Sequence, residues 1–243
     1  MSPVANAASA SLSLLPIVMK SLAAKALVGF ATRILLFGLL LFIPAWSVDF
    51  WQGWTVLALF VSCQLPTVVY FLRKDPRLVE RRLKSGAKAE GRPRQKIIIE
   101  LIKISAALLF VTAGFDHRFK WSQMPIPLVI AADCGLVLGI FIQFQTFKEN
   151  SFASAVITIL PEQRLIATGP YAIVRHPMYL GGMIVNLCTP IALGSWWAMC
   201  FALLWLGAIR LRVLDEEKLL CESLPGYEDY SRKVRHRLVP RIW

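Results

Sequence analysis

Charge is scarce in this chain. Asp, Glu, Lys and Arg make up only 17% of its 243 residues, while apolar side chains reach 56%, a balance that excludes an ordinary soluble domain. Acids are scarcer still, 15 against 27 cations, which leaves a net charge of +12. The three histidines, His117, His176 and His236, are too scattered for a zinc motif. Five cysteines show no disulfide or metal spacing: Cys63, Cys134, Cys188 and Cys200 fall in apolar stretches, and Cys221 lies outside them. No metal is expected, and there is no internal repeat.

Long apolar stretches are what the chain has instead. A hydrocarbon core about 30 Å thick takes roughly 20 helical residues to cross, with every backbone group bonded internally. Stretches at 27–46, 54–72, 97–115, 126–147, 178–193 and 196–213 read as spans. The expected fold is therefore all-α, a polytopic membrane bundle of about six transmembrane helices. Only Gly194 and Ser195 separate the last two spans, which predicts an antiparallel C-terminal helical hairpin as the tightest local unit. The chain divides into an N-terminal segment 1–26, a first set of spans over 27–142, and a region 143–243 that holds the chemistry.

Orientation follows the cations. The loop 73–96 carries ten basic residues against three acids, and such loops favour the cytoplasmic side. With six spans, both termini and the connection 148–176 share that side, as in a bacterial inner-membrane protein. Cations beside spans meet anionic lipid headgroups first, so membrane lipids are expected partners and nucleic acid is not. Segment 1–26 is rich in Ala and Ser, with Lys20, Lys25 and no acid. Pro16 and the lack of arginine argue against a transit peptide, leaving a disordered start or an interfacial helix.

Polar residues inside spans demand an explanation. Arg33 can snorkel to the headgroups, and Glu100 can pair with Lys103 one turn on. For Asp133, Gln143, Gln145 and Asn186, interhelical hydrogen bonds are the expected role and lining a cavity is the alternative.

Two clusters carry chemistry. In Arg175-His176-Pro177-Met178-Tyr179, proline favours the first helical position, so a helix is expected to begin at Pro177 with His176 at its mouth. Its first amides lack internal partners and suit a carboxylate or phosphate, to which Arg175 adds a cation. Gly181 and Gly182 permit close approach one turn later. The plainer reading has Arg175 and His176 marking the membrane edge and the glycines packing helices. The second cluster, Asp215-Glu216-Glu217, follows Arg210 and Arg212 on an extension of the last span. Neighbouring helical residues point about 100° apart. One glutamate therefore faces any given ligand while the other is free to pair with Arg210, Arg212 or Arg175. A solvated charged helix is the ordinary alternative.

Taken in order, Arg175-His176-Pro177-Met178-Tyr179, the hairpin, Glu216-Glu217, Tyr227, Tyr230 and Arg237-Leu238-Val239-Pro240 resemble the isoprenylcysteine carboxyl methyltransferases and their bacterial relatives over about 143–243. The resemblance implies a membrane methyltransferase that binds S-adenosylmethionine from the cytoplasm and meets a lipophilic or lipid-anchored methyl acceptor from the bilayer. It implies cofactor contacts at Leu165, Gly169, Arg175, His176, Pro177, Tyr179, Glu216 and Glu217, with Arg212 and His176 serving catalysis and Arg212 aligning the acceptor. Phospholipid N-methyltransferases share the Glu-Glu pair, so the acceptor stays open. This chain lacks the Gly-x-Gly that often accompanies the pair there, and Tyr179 is followed by Leu180-Gly181-Gly182. Two other classes compete. One is a membrane reductase using NADPH, for which no Gly-x-Gly-x-x-Gly would be needed. The other is a carrier, against which the strongest polar clusters gather at one membrane face.

Overall fold

The computed structural model describes residues 3–158 and 162–243, with side chains from Met19 onward. The expected N-terminal segment 1–26 thus lies largely outside the described side chains. Among the described residues every regular element is helical: α1 (Pro3–Ala45), α2 (Trp51–Lys74), α3 (Pro76–Leu83), α4 (Pro93–Phe119), α5 (Ile126–Glu149), α6 (Pro177–Ala192), α7 (Met199–Ser223) and α8 (Tyr227–Lys233).

Four helices are long and apolar enough to cross a bilayer: Met19–Ala45 of α1, then α2, α4 and α5. The shorter α6 rises about 24 Å at 1.5 Å per residue, and α7 runs back along it from the turn at Leu193 to Ala198. The hairpin therefore forms where it was expected. It is not the tightest pair, however, because α5 and α6 pack more closely. A Cβ on Gly181 would lie 2.6 Å from Gly139 O, and one on Gly139 would lie 2.7 Å from Gly181 O. Paired glycines let the two backbones touch, which is how membrane helices gain packing without a hydrophobic driving force.

Exposed tryptophans gather at the connections opposite the basic loop 73–96, where Arg118 lies over the Trp46 ring. Trp46, Trp51, Trp121, Trp196 and Trp197 are all exposed in or beside the α1–α2, α4–α5 and α6–α7 connections, in the manner of an interfacial aromatic belt. At that end Asp116 is buried and accepts from the Ser122 amide at 2.7 Å and from the hydroxyls of Ser122 and Ser195. These bonds tie the α4–α5 loop to the hairpin turn. Between the two ends, Leu35, Ile104, Leu138, Phe141 and Leu204 lie exposed on the helix flanks. Apolar surface this extensive is what a bilayer covers. The protein is an integral membrane protein.

The basic loop is partly helical. Asp75 caps α3 by accepting from the Leu78 amide at 3.0 Å, and Pro76 occupies the first turn. Lys103 and Glu100 pair at 2.8 Å as expected. The interhelical hydrogen bonds expected of Asp133, Gln143, Gln145 and Asn186 do not form among the described residues. Asp133 Oδ1 and Asn186 Oδ1 are buried without a partner. Gly135 and Gly139 face α6, and two residues along a helix is about 200°, so Asp133 is turned away from that interface. Gln143 lines a groove instead.

Candidate functional site

The helix at Pro177 begins as its sequence requires, with His176 as N-cap and proline in the first turn. What the sequence could not supply is the partner of the segment that precedes it. The amides of Arg175 and His176 donate to the carbonyls of His236 and Arg237 at 2.9 and 3.0 Å. The C-terminal tail thereby fixes the mouth of α6. The tail is itself anchored by Leu238, which is buried with Tyr179, Ile209 and Val213.

The two glutamates of α7 divide as their 100° separation demands. Glu217 is buried and takes Arg175 Nε at 2.6 Å, Arg237 Nε at 2.6 Å and His176 Nε2 at 3.3 Å. Burial pushes this carboxyl up, but the hydrogen bonds from His176, Arg175 and Arg237 more than reverse that and hold it at about 2. It is an anion clamped by cations. Glu216 points the other way, into a cavity, and accepts from Tyr179 Oη at 2.7 Å.

Arg175 serves both sides. Nε holds Glu217, and Nη1 donates to the carbonyls of Val234 at 2.9 Å and of Ser231 and Arg235 at 3.2 Å. Nη2 makes no hydrogen bond among the described residues, and the side chain lines the same cavity as Glu216. A cation and an anion thus face one hollow from α6 and α7. Its remaining walls come from Asn150 and Leu165 in the α5–α6 connection, from Leu220, and from Tyr227 and Tyr230 of α8. The Tyr227 hydroxyl is buried with no partner. Burial pushes its phenol up, so it is a neutral donor without an acceptor. Tyr171 also borders the hollow. It accepts from Asn150 Nδ2 at 2.9 Å, and its pKa is raised by burial to about 12.

Of the residues expected to contact a cofactor, Leu165, Arg175, His176, Tyr179 and Glu216 line this cavity. Gly169, Pro177 and Glu217 do not. Gly169 sits in a turn at φ +56, where any side chain is strained, and its missing Cβ leaves room for Glu149. Pro177 starts the helix, and Glu217 holds the arginines. Tyr171, Tyr227 and Asn150 were not picked out as cavity residues. Tyrosines among aliphatic neighbours carry no spacing signal, although Tyr227 was already part of the resemblance.

Arg212 lies one side chain behind the cavity. It is buried, with Nε donating to Tyr179 Oη at 3.0 Å, Nη1 to Gln95 at 2.9 Å, and Nη2 to Glu90 at 3.0 Å and Ala155 O at 2.9 Å. The path from Arg212 to the hollow runs through Tyr179 and Glu216.

The donor set fits an amino-acid ligand joined to a nucleoside. Arg175 Nη2 suits a carboxylate, Glu216 suits an ammonium or a pair of ribose hydroxyls, the Tyr227 hydroxyl lacks an acceptor, and Leu165 and Leu220 offer an apolar shelf. Among the described residues no three His, Cys, Asp or Glu side chains gather around a metal-sized point.

Known proteins share parts of this sequence. Residues 128–224, which contain α6, the hairpin and both glutamates, match the family model described as phospholipid methyltransferase. The nickel-cobalt-cadmium resistance protein NccN of Alcaligenes xylosoxydans xylosoxydans is 36% identical over 146 residues, covering 58% of this chain and 63% of that protein. The Delta(14)-sterol reductase TM7SF2 of Mus musculus is 27% identical over 135 residues, 49% of this chain and 32% of its own length. The chain thus spans less than two thirds of either relative. Over residues 128–224 it is similar to the phospholipid methyltransferases.

Proposed function

We propose that this protein transfers a methyl group from S-adenosylmethionine to a lipophilic acceptor at the cytoplasmic face of a membrane. The observation that carries the reading is the split of the glutamate pair. Glu217 holds Arg175 and Arg237 from behind, while Glu216 and the remaining Nη2 of Arg175 face one cavity. When bound there, S-adenosylmethionine supplies an electrophilic methyl group on a positively charged sulfur.

Each residue then has a role. Arg175 holds the carboxylate of the methionine moiety, and Glu216 holds its ammonium or the ribose. Leu165 packs against the base. Tyr179, fixed between Arg212 and Glu216, forms part of the cavity wall, so Arg212 acts by positioning Tyr179. His176 lines the wall and keeps its Nε2 on Glu217. Attack by an anionic acceptor brings opposite charges together and neutralises both, so a water-excluded chamber favours the reaction. A carboxylate needs no general base near neutral pH, whereas an amine or thiol acceptor would draw on His176 or a tyrosine.

A second reading, an NADPH-dependent reductase, is supported by the similarity to the sterol reductase. Thermal stability in detergent separates the two, measured with S-adenosylmethionine, S-adenosylhomocysteine and NADPH in turn. Stabilisation by the two sulfur compounds is expected. Stabilisation by NADPH alone would reject methyl transfer.

A further inference from the structure

One wall of the cavity has no regular structure. Residues 150–158, which follow α5, cross it as an irregular strap, and Phe152, Ser154, Val156, Ile157 and Thr158 line the hollow. The bonds within the strap are short-range. The Phe152 amide donates to Asn150 Oδ1 at 2.9 Å, the Ala153 amide to Asn150 O at 3.3 Å, and the Val156 amide to Ser154 Oγ at 3.2 Å. Bonds between neighbours close turns, but they do not fix where the segment lies, and holding it in one place costs conformational entropy.

Its place is set by two guanidinium groups from distant elements. Arg212 of α7 donates from Nη2 to Ala155 O at 2.9 Å. Arg81 of α3 donates from Nη2 to Ser151 O at 2.6 Å, across 70 residues of sequence. Both bonds carry a charged donor and belong to the stronger class. Arg212 is already committed to Tyr179, Gln95 and Glu90. For Arg81, the Ser151 carbonyl is the partner, and no acid forms an ion pair with it among the described residues.

Arg81 can act as a pin because α3 is itself fixed. Eight residues are too few for a helix to persist alone. The Asp75 cap and the buried Leu78 hold this one in place. Its last turn carries Arg81 and Arg82, at the end where the helix dipole favours cations. Arg82 turns toward α6 and α5, with Nη1 3.2 Å from Met178 Sδ and its guanidinium 4.6 Å from the centre of the Phe147 ring. Met178 also lines the cavity, so adjacent arginines of one short helix reach two of its walls.

We infer that Arg81 is a positioning residue, which pins the strap at Ser151 in the arrangement that walls the cavity, and that cofactor affinity depends on this pin. The inference rests on the methyltransferase reading, because it takes S-adenosylmethionine and its demethylated product as the ligands of the cavity. Without the pin the strap samples open arrangements, and the apparent Kd rises as the closed fraction falls. A ligand that binds the closed strap alone draws it shut again.

Hydrogen–deuterium exchange and titration with S-adenosylhomocysteine, both on the full chain in a nonionic detergent, test this. The bonded amides of Phe152, Ala153 and Val156 supply the local readout. In Arg81→Ala they should exchange faster, while α4 and α7 keep wild-type protection. The Kd for S-adenosylhomocysteine should rise roughly tenfold, as a closed fraction of about one tenth requires. Saturating ligand should return the strap to wild-type protection. Arg81→Lys keeps a cation and a donor and should recover part of both effects. Arg77→Ala removes an exposed cation from the same helix and should leave the Kd within about twofold of wild type. Arg81 is itself only half-buried, so the alanine variant folds. Unchanged strap exchange in Arg81→Ala, or faster exchange with unchanged affinity, overturns the inference and leaves the cofactor reading standing. An equal loss of affinity in Arg77→Ala assigns the effect to the charge of the loop and overturns it as well. A wild-type chain that does not bind S-adenosylhomocysteine removes the methyltransferase reading and the role of the pin together.

Discussion

Arg175 Nε lies 2.6 Å from Glu217 Oε1, and that bond separates two adjacent glutamates into different roles. Glu217 is committed to Arg175, Arg237 and His176, and Glu216 is left for the cavity.

Neutralising each acid should therefore give different phenotypes. Glu217→Gln leaves Arg175 and Arg237 without their counter-ion and should lower stability by about 3 kcal/mol, the cost of breaking a buried pair from one side. Glu216→Gln should leave the melting temperature close to wild type and weaken S-adenosylmethionine binding. Denaturation and ligand titration on the same two proteins check both halves. A Glu216→Gln protein that binds the cofactor normally would remove Glu216 from the site.

Acid should act through the same carboxyl. Glu217 titrates at about 2 in the fold against 4.5 unperturbed. Between those values the unfolded chain binds the extra proton, so stability rises with pH there. The contribution of Glu217 is complete above 4.5 and is lost as pH falls toward 2. Melting curves across that window should show a slope that Glu217→Gln flattens.

Arg212→Ala should do more than slow turnover. Its guanidinium is bonded to Glu90, whose other oxygen already lacks a partner. Removing it strands a buried acid, for a loss of about 3 kcal/mol. Adding Glu90→Gln to Arg212→Ala should restore part of that stability without restoring methyl transfer. Full activity in the double variant would exclude a positioning role for Arg212.

Tyr227→Phe removes a buried hydroxyl that has no partner. Deleting an unsatisfied group costs nothing in the apoprotein, so the melting temperature should hold or rise. Cofactor affinity should fall by roughly fivefold if that hydroxyl meets the ligand. Isothermal titration beside a melting curve decides it, and unchanged affinity would place Tyr227 in the wall alone.

Gly181→Ala should displace α6 from α5, because the added carbon would lie 2.6 Å from Gly139 O. Backbone cannot yield as a flexible side chain does. A loss of about 2 kcal/mol is expected, read as a lower melting temperature, with the α6 residues of the cavity shifted as well.

The sequence alone determined the solvent and the local starts. Apolar stretches of spanning length require helices in a bilayer, since no water there can satisfy an open backbone. Pro177 could only begin a helix, and Glu216 and Glu217 could not both face one ligand. Those conclusions rest on neighbours in the chain, which spacing reports faithfully.

Tertiary structure decided the rest. Which glutamate faces the cavity depends on where Arg175 and the tail at Arg237 arrive, 42 and 20 residues away in the chain. The α5–α6 glycine contact joins positions 139 and 181, and Arg82 reaches Met178 across 96 residues. Contacts between distant segments are set by how apolar helices pack, where many pairings bury similar area and leave no periodic mark in the sequence.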